Sequence, residues 1–111
     1  MKRAGKELAR KFNTAILLKG GHLSGEEAVD LLFVKDRIVD FAAPFVRDVA
    51  THGTGCTYSA AITAGLATGR PLEDSIAAAK NFVTSCITNH FRWESNAGPA
   101  IDALSHAPKK I

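Results

Sequence analysis

Between Thr57 and Thr68 the chain offers a helix mostly small side chains, among them Ala60, Ala61, Ala64, Gly65 and Ala67. Such a helix buries little area of its own, so it is stable only when it lies close against another element. Gly69 supplies a stop. Pro71 then opens a second helix whose first turn carries Glu73 and Asp74, the charge sign that suits a helix start. Leu72, Ile76, Ala79, Val83, Cys86 or Ile87, and His90 recur at helical period, predicting a helix over 72–89 with one buried face. Cys86 sits on that face and reads as a small buried hydrophobe.

Upstream, Ala4, Leu8 and Phe12 recur every four residues among Lys, Arg and Glu, predicting an amphipathic helix that ends near Asn13. The apolar run Ala15-Ile16-Leu17-Leu18 follows and stops at Lys19-Gly20-Gly21. A helix followed by a fully apolar strand is the rhythm of a mostly parallel sheet flanked by helices, so an α/β fold is expected. Val29 to Val34 and Arg37 to Phe41 are predicted to form a hairpin across Lys35-Asp36, with Ala42-Ala43-Pro44 leading out. Beyond His90 the period fades. Asn96-Ala97-Gly98-Pro99 reads as a turn, Ala100 to His106 as a short helix, and residues 91–111 as an irregular tail.

The chain has 111 residues, enough for one modest domain, with 46% hydrophobic and 23% charged residues, ordinary for a soluble globular protein. No apolar run is long enough to span a membrane and no signal-peptide core follows Met1, so no membrane partner and a cytoplasmic location are expected. The net charge of +3 is spread out apart from residues 2–11 and Lys109-Lys110. Those clusters read as a solvated helix face and a solubilising tail; nucleic-acid binding needs a concentrated basic stripe. Two cysteines and four histidines without ligand spacing argue against a metal held by side chains alone.

The stretch with chemistry in it is Gly53-Thr54-Gly55-Cys56, immediately ahead of the small-residue helix. A helix start exposes unpaired N–H groups and the positive end of the macrodipole, and glycines let an anion come close to them. Thr54 adds a hydroxyl. A thiol at a helix start is biased toward the thiolate, which suits Cys56 to accept a proton or to act as a nucleophile. A plain capping turn with Cys56 merely packed explains the four residues equally well. Lys19, at the end of an apolar strand and before two glycines, suits a phosphate, though a solvated strand end is the commoner role. His22 and His52 flank the two motifs and read as hydrogen-bonded loop residues.

Three stretches in order, ILLKGGHL (16–23), THGTGCTYSAAITAGLATG (51–69) and PLEDSIAAAKNFVTSCI (71–87), resemble the carboxyl-terminal half of the hydroxymethylpyrimidine/phosphomethylpyrimidine kinases, a ribokinase-like family of thiamine biosynthesis. The resemblance implies a partial ribokinase-like fold and, in the whole enzyme, ATP-dependent phosphorylation of hydroxymethylpyrimidine and then of its monophosphate. It makes Gly53, Thr54, Gly55 and Cys56 an anion hole, puts Cys56 in the catalytic-base position that sugar-kinase relatives fill with aspartate, and turns Lys19, Thr54 and Gly55 toward ATP. It also implies magnesium, with the metal site mainly in the other half, which holds most of the substrate pocket as well. On this reading residues 1–111 are the nucleotide-side part of one domain, expected to be inactive alone. An exposed sheet edge would favour association of copies into a homo-oligomer. The rival readings are a pyridoxal kinase of the same superfamily and a non-catalytic nucleotide-binding or interaction module. The strand at 15–18 is expected beside the segment leading into Thr51, with Lys19 and Cys56 on one side of the sheet.

Overall fold

The computed structural model describes residues 2–20, 26–46 and 53–107. They belong to two compact units, Met1–Phe45 and Val46–Ile111.

The first unit is a three-stranded sheet with one helix on it. Helix α1 spans Lys2–Phe12, and the strands are β1 (Ile16–Lys19), β2 (Glu27–Val34) and β3 (Arg37–Pro44), in the order β1-β2-β3. Both pairings are antiparallel: Ile16 faces Phe33 across one ladder, and Phe33 faces Ile38 across the other. The expectation of a mostly parallel sheet is therefore corrected. The connection from Lys19 to Glu27 is too short for the crossover that parallel strands need, and an antiparallel return is what a short connection permits. Central β2 is buried from Asp30 to Phe33. β3 continues to Pro44 rather than ending at Phe41; as the last residue of an edge strand, proline leaves no ladder bond unmade.

The face that α1 presents to the sheet also differs from the stripe of Ala4, Leu8 and Phe12. Gly5 is the buried residue of the helix, while Ala4 and Phe12 are exposed and Leu8 is scarcely covered. The ring edge of Phe33 occupies the space in which a Cβ on Gly5 would stand. Glycine here allows close approach of helix and strand.

The second unit contains the expected helix pair, α2 (Thr54–Ala67) and α3 (Leu72–Thr88). Gly65 is buried, and a Cβ there would stand 2.7 Å from Ser75 Oγ, so the small residues do serve close packing. α2 ends in a Schellman motif: Gly69 has φ 86°, its N–H donates to Leu66 O, and Arg70 N–H donates to Gly65 O. Ile76, Ala79, Val83 and Cys86 are buried on the predicted face of α3, joined by Ser75 and Lys80. Lys80 is buried with its Nζ 6.0 Å from the centre of the Tyr58 ring, a cation–π arrangement that keeps the charge in a favourable field.

After His90 the chain forms a hairpin, β4 (Phe91–Ser95) with β5 (Gly98–Ala103), antiparallel and with a register shift between Trp93 and Ser95. This corrects both the irregular tail and the short helix at 100–106; Asn96-Ala97 is the turn, and Gly98 and Pro99 already belong to β5. The two faces of the hairpin differ. Phe91, Trp93 and Ile101 are exposed, whereas Arg92 reaches Asp102, which is buried. Ser105 N–H donates to Cys86 O and ties the chain after β5 to the end of α3.

Candidate functional site at the start of the second helix

α2 begins earlier than the sequence predicts, at Thr54 rather than Thr57. Gly53 is its N-cap, in the left-handed region with φ 85° and ψ 7°, and makes no side-chain cap. Nothing lies within 4 Å of where a Cβ on Gly53 would be, so glycine is required by the backbone conformation and not by crowding. Thr57 N–H donates to Gly53 O at 2.9 Å as the first bond of the helix. The N–H groups of Gly55 and Cys56 come ahead of that bond and so have no acceptor from the helix itself. Gly55 and Cys56 thus supply their donors as the first turn of α2, not as a loop preceding it.

Charge at the two helix starts differs. α3 has Glu73 and Asp74 in its first turn, whereas α2 has no acidic residue there, so no carboxylate of its own first turn competes for the donors and the positive dipole end. Cys56 is exposed in that first turn and Cys86 is buried, so a reagent in solution meets one thiol and not the other. Burial pushes the Cys86 thiol up from its ordinary value, opposed in part by a backbone hydrogen bond.

Sequence reasoning missed a neighbour of this turn. His106 Nε2 lies 3.1 Å from Thr57 Oγ1, and its ring stacks on Phe82 with centroids 6.5 Å apart. The segment after β5 therefore reaches the start of α2. No local pattern marks this, because the contact exists only once α2, α3 and the hairpin are assembled.

Lys19 belongs to the first unit, where it is the exposed last residue of β1, opposite Asp30 on β2. Gly20 N–H donates to Asp30 Oδ1 at 3.1 Å, so the backbone after Lys19 is held by a buried carboxylate rather than left free. Asp30 was missed as well, although an acid inside the run Ala28-Val29-Asp30-Leu31-Leu32 was a visible signal. Gly21, His22, His52 and the segment leading into Thr51 lie outside the described residues. Cys56 belongs to the second unit.

A third polar group lies on the hairpin. Arg92 Nε and Nη2 donate to the two oxygens of Asp102 at 2.7 and 3.1 Å, a two-pronged pair around a buried carboxylate. His90 Nδ1 is 2.8 Å from Ile87 O, an acceptor only, so that nitrogen carries the proton; Nε2 is 3.8 Å from Asp102 Oδ1.

The sequence pattern of the family described as phosphomethylpyrimidine kinase matches residues 1–101. The chain belongs to that family. It is 44% identical over 98 residues to a hydroxymethylpyrimidine/phosphomethylpyrimidine kinase of Rhizobium meliloti, covering 88% of this chain and 37% of the relative. It is 38% identical over 98 residues to a pyridoxine kinase of Bacillus subtilis, covering 84% of this chain and 36% of the relative. A solved pyridoxal kinase from Staphylococcus aureus, in complex with AMP-PCP and pyridoxal, superposes with a TM-score of 0.82 at 30% identity, covering 96% of this chain and 38% of that one. The chain thus spans little more than a third of the length of these two relatives.

Proposed function

We propose that the chain forms the phosphate-side part of a kinase that transfers the γ-phosphoryl group of ATP to hydroxymethylpyrimidine and to its monophosphate in thiamine biosynthesis. The observation that carries this reading is the start of α2. A left-handed Gly53, helix-start donors at Gly55 and Cys56, and an exposed thiol in the same turn stand within the stretch that matches the kinase family.

Each residue then has a role set by its chemistry. Gly53 turns the chain so that the first-turn N–H groups face one way, and Gly55 and Cys56 donate to phosphate oxygens as charge builds on them. Thr54 lends its hydroxyl to the same oxygens. Cys56 accepts the proton of the attacking substrate hydroxyl, the role of a general base. Lys19 is assigned to the ATP phosphates by family resemblance. In the first transfer the hydroxyl oxygen bonds to the γ-phosphorus, its proton passes to Cys56, the bond from that phosphorus to the β,γ-bridging oxygen breaks and ADP leaves. In the second the nucleophile is a phosphate oxygen of the monophosphate, and ADP leaves in the same way.

Magnesium fits the described residues less well. Among them no group of three or more His, Cys, Asp or Glu side chains could hold a metal ion, so no step is assigned to the ion here.

A second reading, phosphorylation of pyridoxal, is favoured by the pyridoxal kinase structures that share the fold. Fusing this chain in turn to the amino-terminal parts of the Rhizobium meliloti and Bacillus subtilis relatives, and measuring ADP release with hydroxymethylpyrimidine and with pyridoxal, distinguishes the two. Turnover restored only by the Rhizobium meliloti part with hydroxymethylpyrimidine supports the first; turnover restored only by the Bacillus subtilis part with pyridoxal replaces it with the second. In the active chimera Cys56→Ser should lower turnover about 10²–10⁴-fold, the usual worth of a general base.

A further inference from the structure

The folded first unit brings together cations that the sequence keeps apart. Lys6 and Arg10 stand one turn apart on α1, Lys35 lies in the β2–β3 turn, and Arg37 opens β3. All four line one open cleft of about 580 Å³, with Phe33 also in its wall. Among the described lining residues Asp36 is the single carboxylate; Arg37 is engaged in an interaction of its own, so the positive charge of the cleft rests on Lys6, Arg10 and Lys35. Glu7, the one acid on α1, is bound instead to Arg3 at 3.2 Å and does not line the cleft.

A solvated helix end does not account for this cluster. Arg10 and Lys11 in the last turn of α1 suit its negative dipole end, but that explains neither Lys35 nor Arg37 on another element. Lys35 also sits at φ 51°, a backbone region that lysine disfavours and that asparagine or glycine would fill at lower cost. Cations gathered around one concavity repel one another, and an anion placed among them removes that repulsion. The cleft is bounded and of a size that small-molecule sites have, roughly 300–1,000 Å³, rather than a stripe along which a nucleic-acid backbone could run.

We propose that this cleft is a second anion site, independent of the α2 start, for a compact polyanion of the pyrophosphate or polyphosphate-ester class. Lys6, Arg10 and Lys35 hold the charge, and the apolar wall at Phe33 bounds the site.

The test is an NMR titration of the isotope-labelled chain with sodium pyrophosphate at low ionic strength, with inorganic phosphate for comparison. Pyrophosphate should move the amide signals of Lys6, Arg10, Lys35 and Asp36 saturably, and should bind about tenfold more tightly than phosphate. Arg10→Glu combined with Lys35→Glu should weaken pyrophosphate about tenfold or more, whereas the matched reversal Lys2→Glu with Lys11→Glu, outside the cleft, should change it by less than about threefold. Gly53→Val, which disrupts the α2 start, should leave binding at Lys35 and Arg10 intact, so failure of the kinase reading and failure of this one are separable. If the reversals unfold the chain, Arg10→Gln with Lys35→Gln must weaken binding in the same direction. Absence of saturable shifts at Lys35 and Arg10, equal loss from the Lys2 and Lys11 reversals, or unchanged binding in the Arg10 and Lys35 variants would overturn the proposal.

Discussion

Thr57 Oγ1 and His106 Nε2 lie 3.1 Å apart although 49 residues separate them in sequence. This hydrogen bond fastens the segment after the β4–β5 hairpin to the first turns of α2, and the Phe82 ring beneath His106 fixes its plane. Because the pair is exposed, its net worth should be modest, about 0.5–1.5 kcal/mol. A double-mutant cycle of Thr57→Val and His106→Ala, followed by denaturant unfolding, should show a coupling of that order. Additive single effects would mean that the contact does not fasten the two segments.

The approach of α1 to the sheet at Gly5 leads to a second expectation. Alanine ordinarily improves a helix interior by about 1 kcal/mol over glycine. At Gly5 the added methyl meets the Phe33 ring, and overpacking of this kind costs about 1–3 kcal/mol. Gly5→Ala should therefore leave the chain no more stable and most often less so. Pairing it with Phe33→Leu, which removes the ring, should recover part of the loss. A Gly5→Ala chain with a raised melting temperature would contradict the packing described.

Alkaline pH should act through Cys86. Burial raises its thiol above the ordinary value, so the folded chain holds the proton where the unfolded chain releases it. The stability that this contributes is complete below the unfolded thiol's pKa and is lost as pH rises through the folded one. Stability measured across the alkaline range should fall more steeply for the parent chain than for Cys86→Ala, once the constant loss from the smaller side chain is subtracted. Parallel curves would show that Cys86 does not titrate this way.

Much of the second unit was legible because its signals are local. The period of Leu72, Ile76, Ala79 and Val83, the stop at Gly69 and the start at Pro71 each act within a turn or two of chain. The parallel sheet was misread because Ala15-Ile16-Leu17-Leu18 looks the same in either pairing, and only the short connection to Glu27 discriminates. The hairpin after His90 had a period-two signal in Phe91-Arg92-Trp93-Glu94, masked by the absence of a second alternating run. Asp30 and Asp102 take partners only ten residues away, at the end of or on the neighbouring strand, so they could be placed only once the antiparallel pairing was known, whereas His106 meets a residue 49 positions away. At Gly53-Thr54-Gly55-Cys56 the residue types were readable, but the helix boundary that makes Gly55 and Cys56 first-turn donors depends on the left-handed Gly53.

The most direct test of the account is the alkylation rate of Cys56 with and without AMP-PCP, followed by mass spectrometry of the labelled peptide. Cys56 is exposed and Cys86 buried, so the two thiols serve as probe and internal control in one chain. If the start of α2 receives the phosphates, saturating AMP-PCP should slow Cys56 alkylation about tenfold or more, leave Cys86 unmodified throughout, and lose its effect in Gly53→Val. Equal Cys56 alkylation with and without the nucleotide, at concentrations where binding is independently shown, would contradict the placement of the phosphates at this helix start.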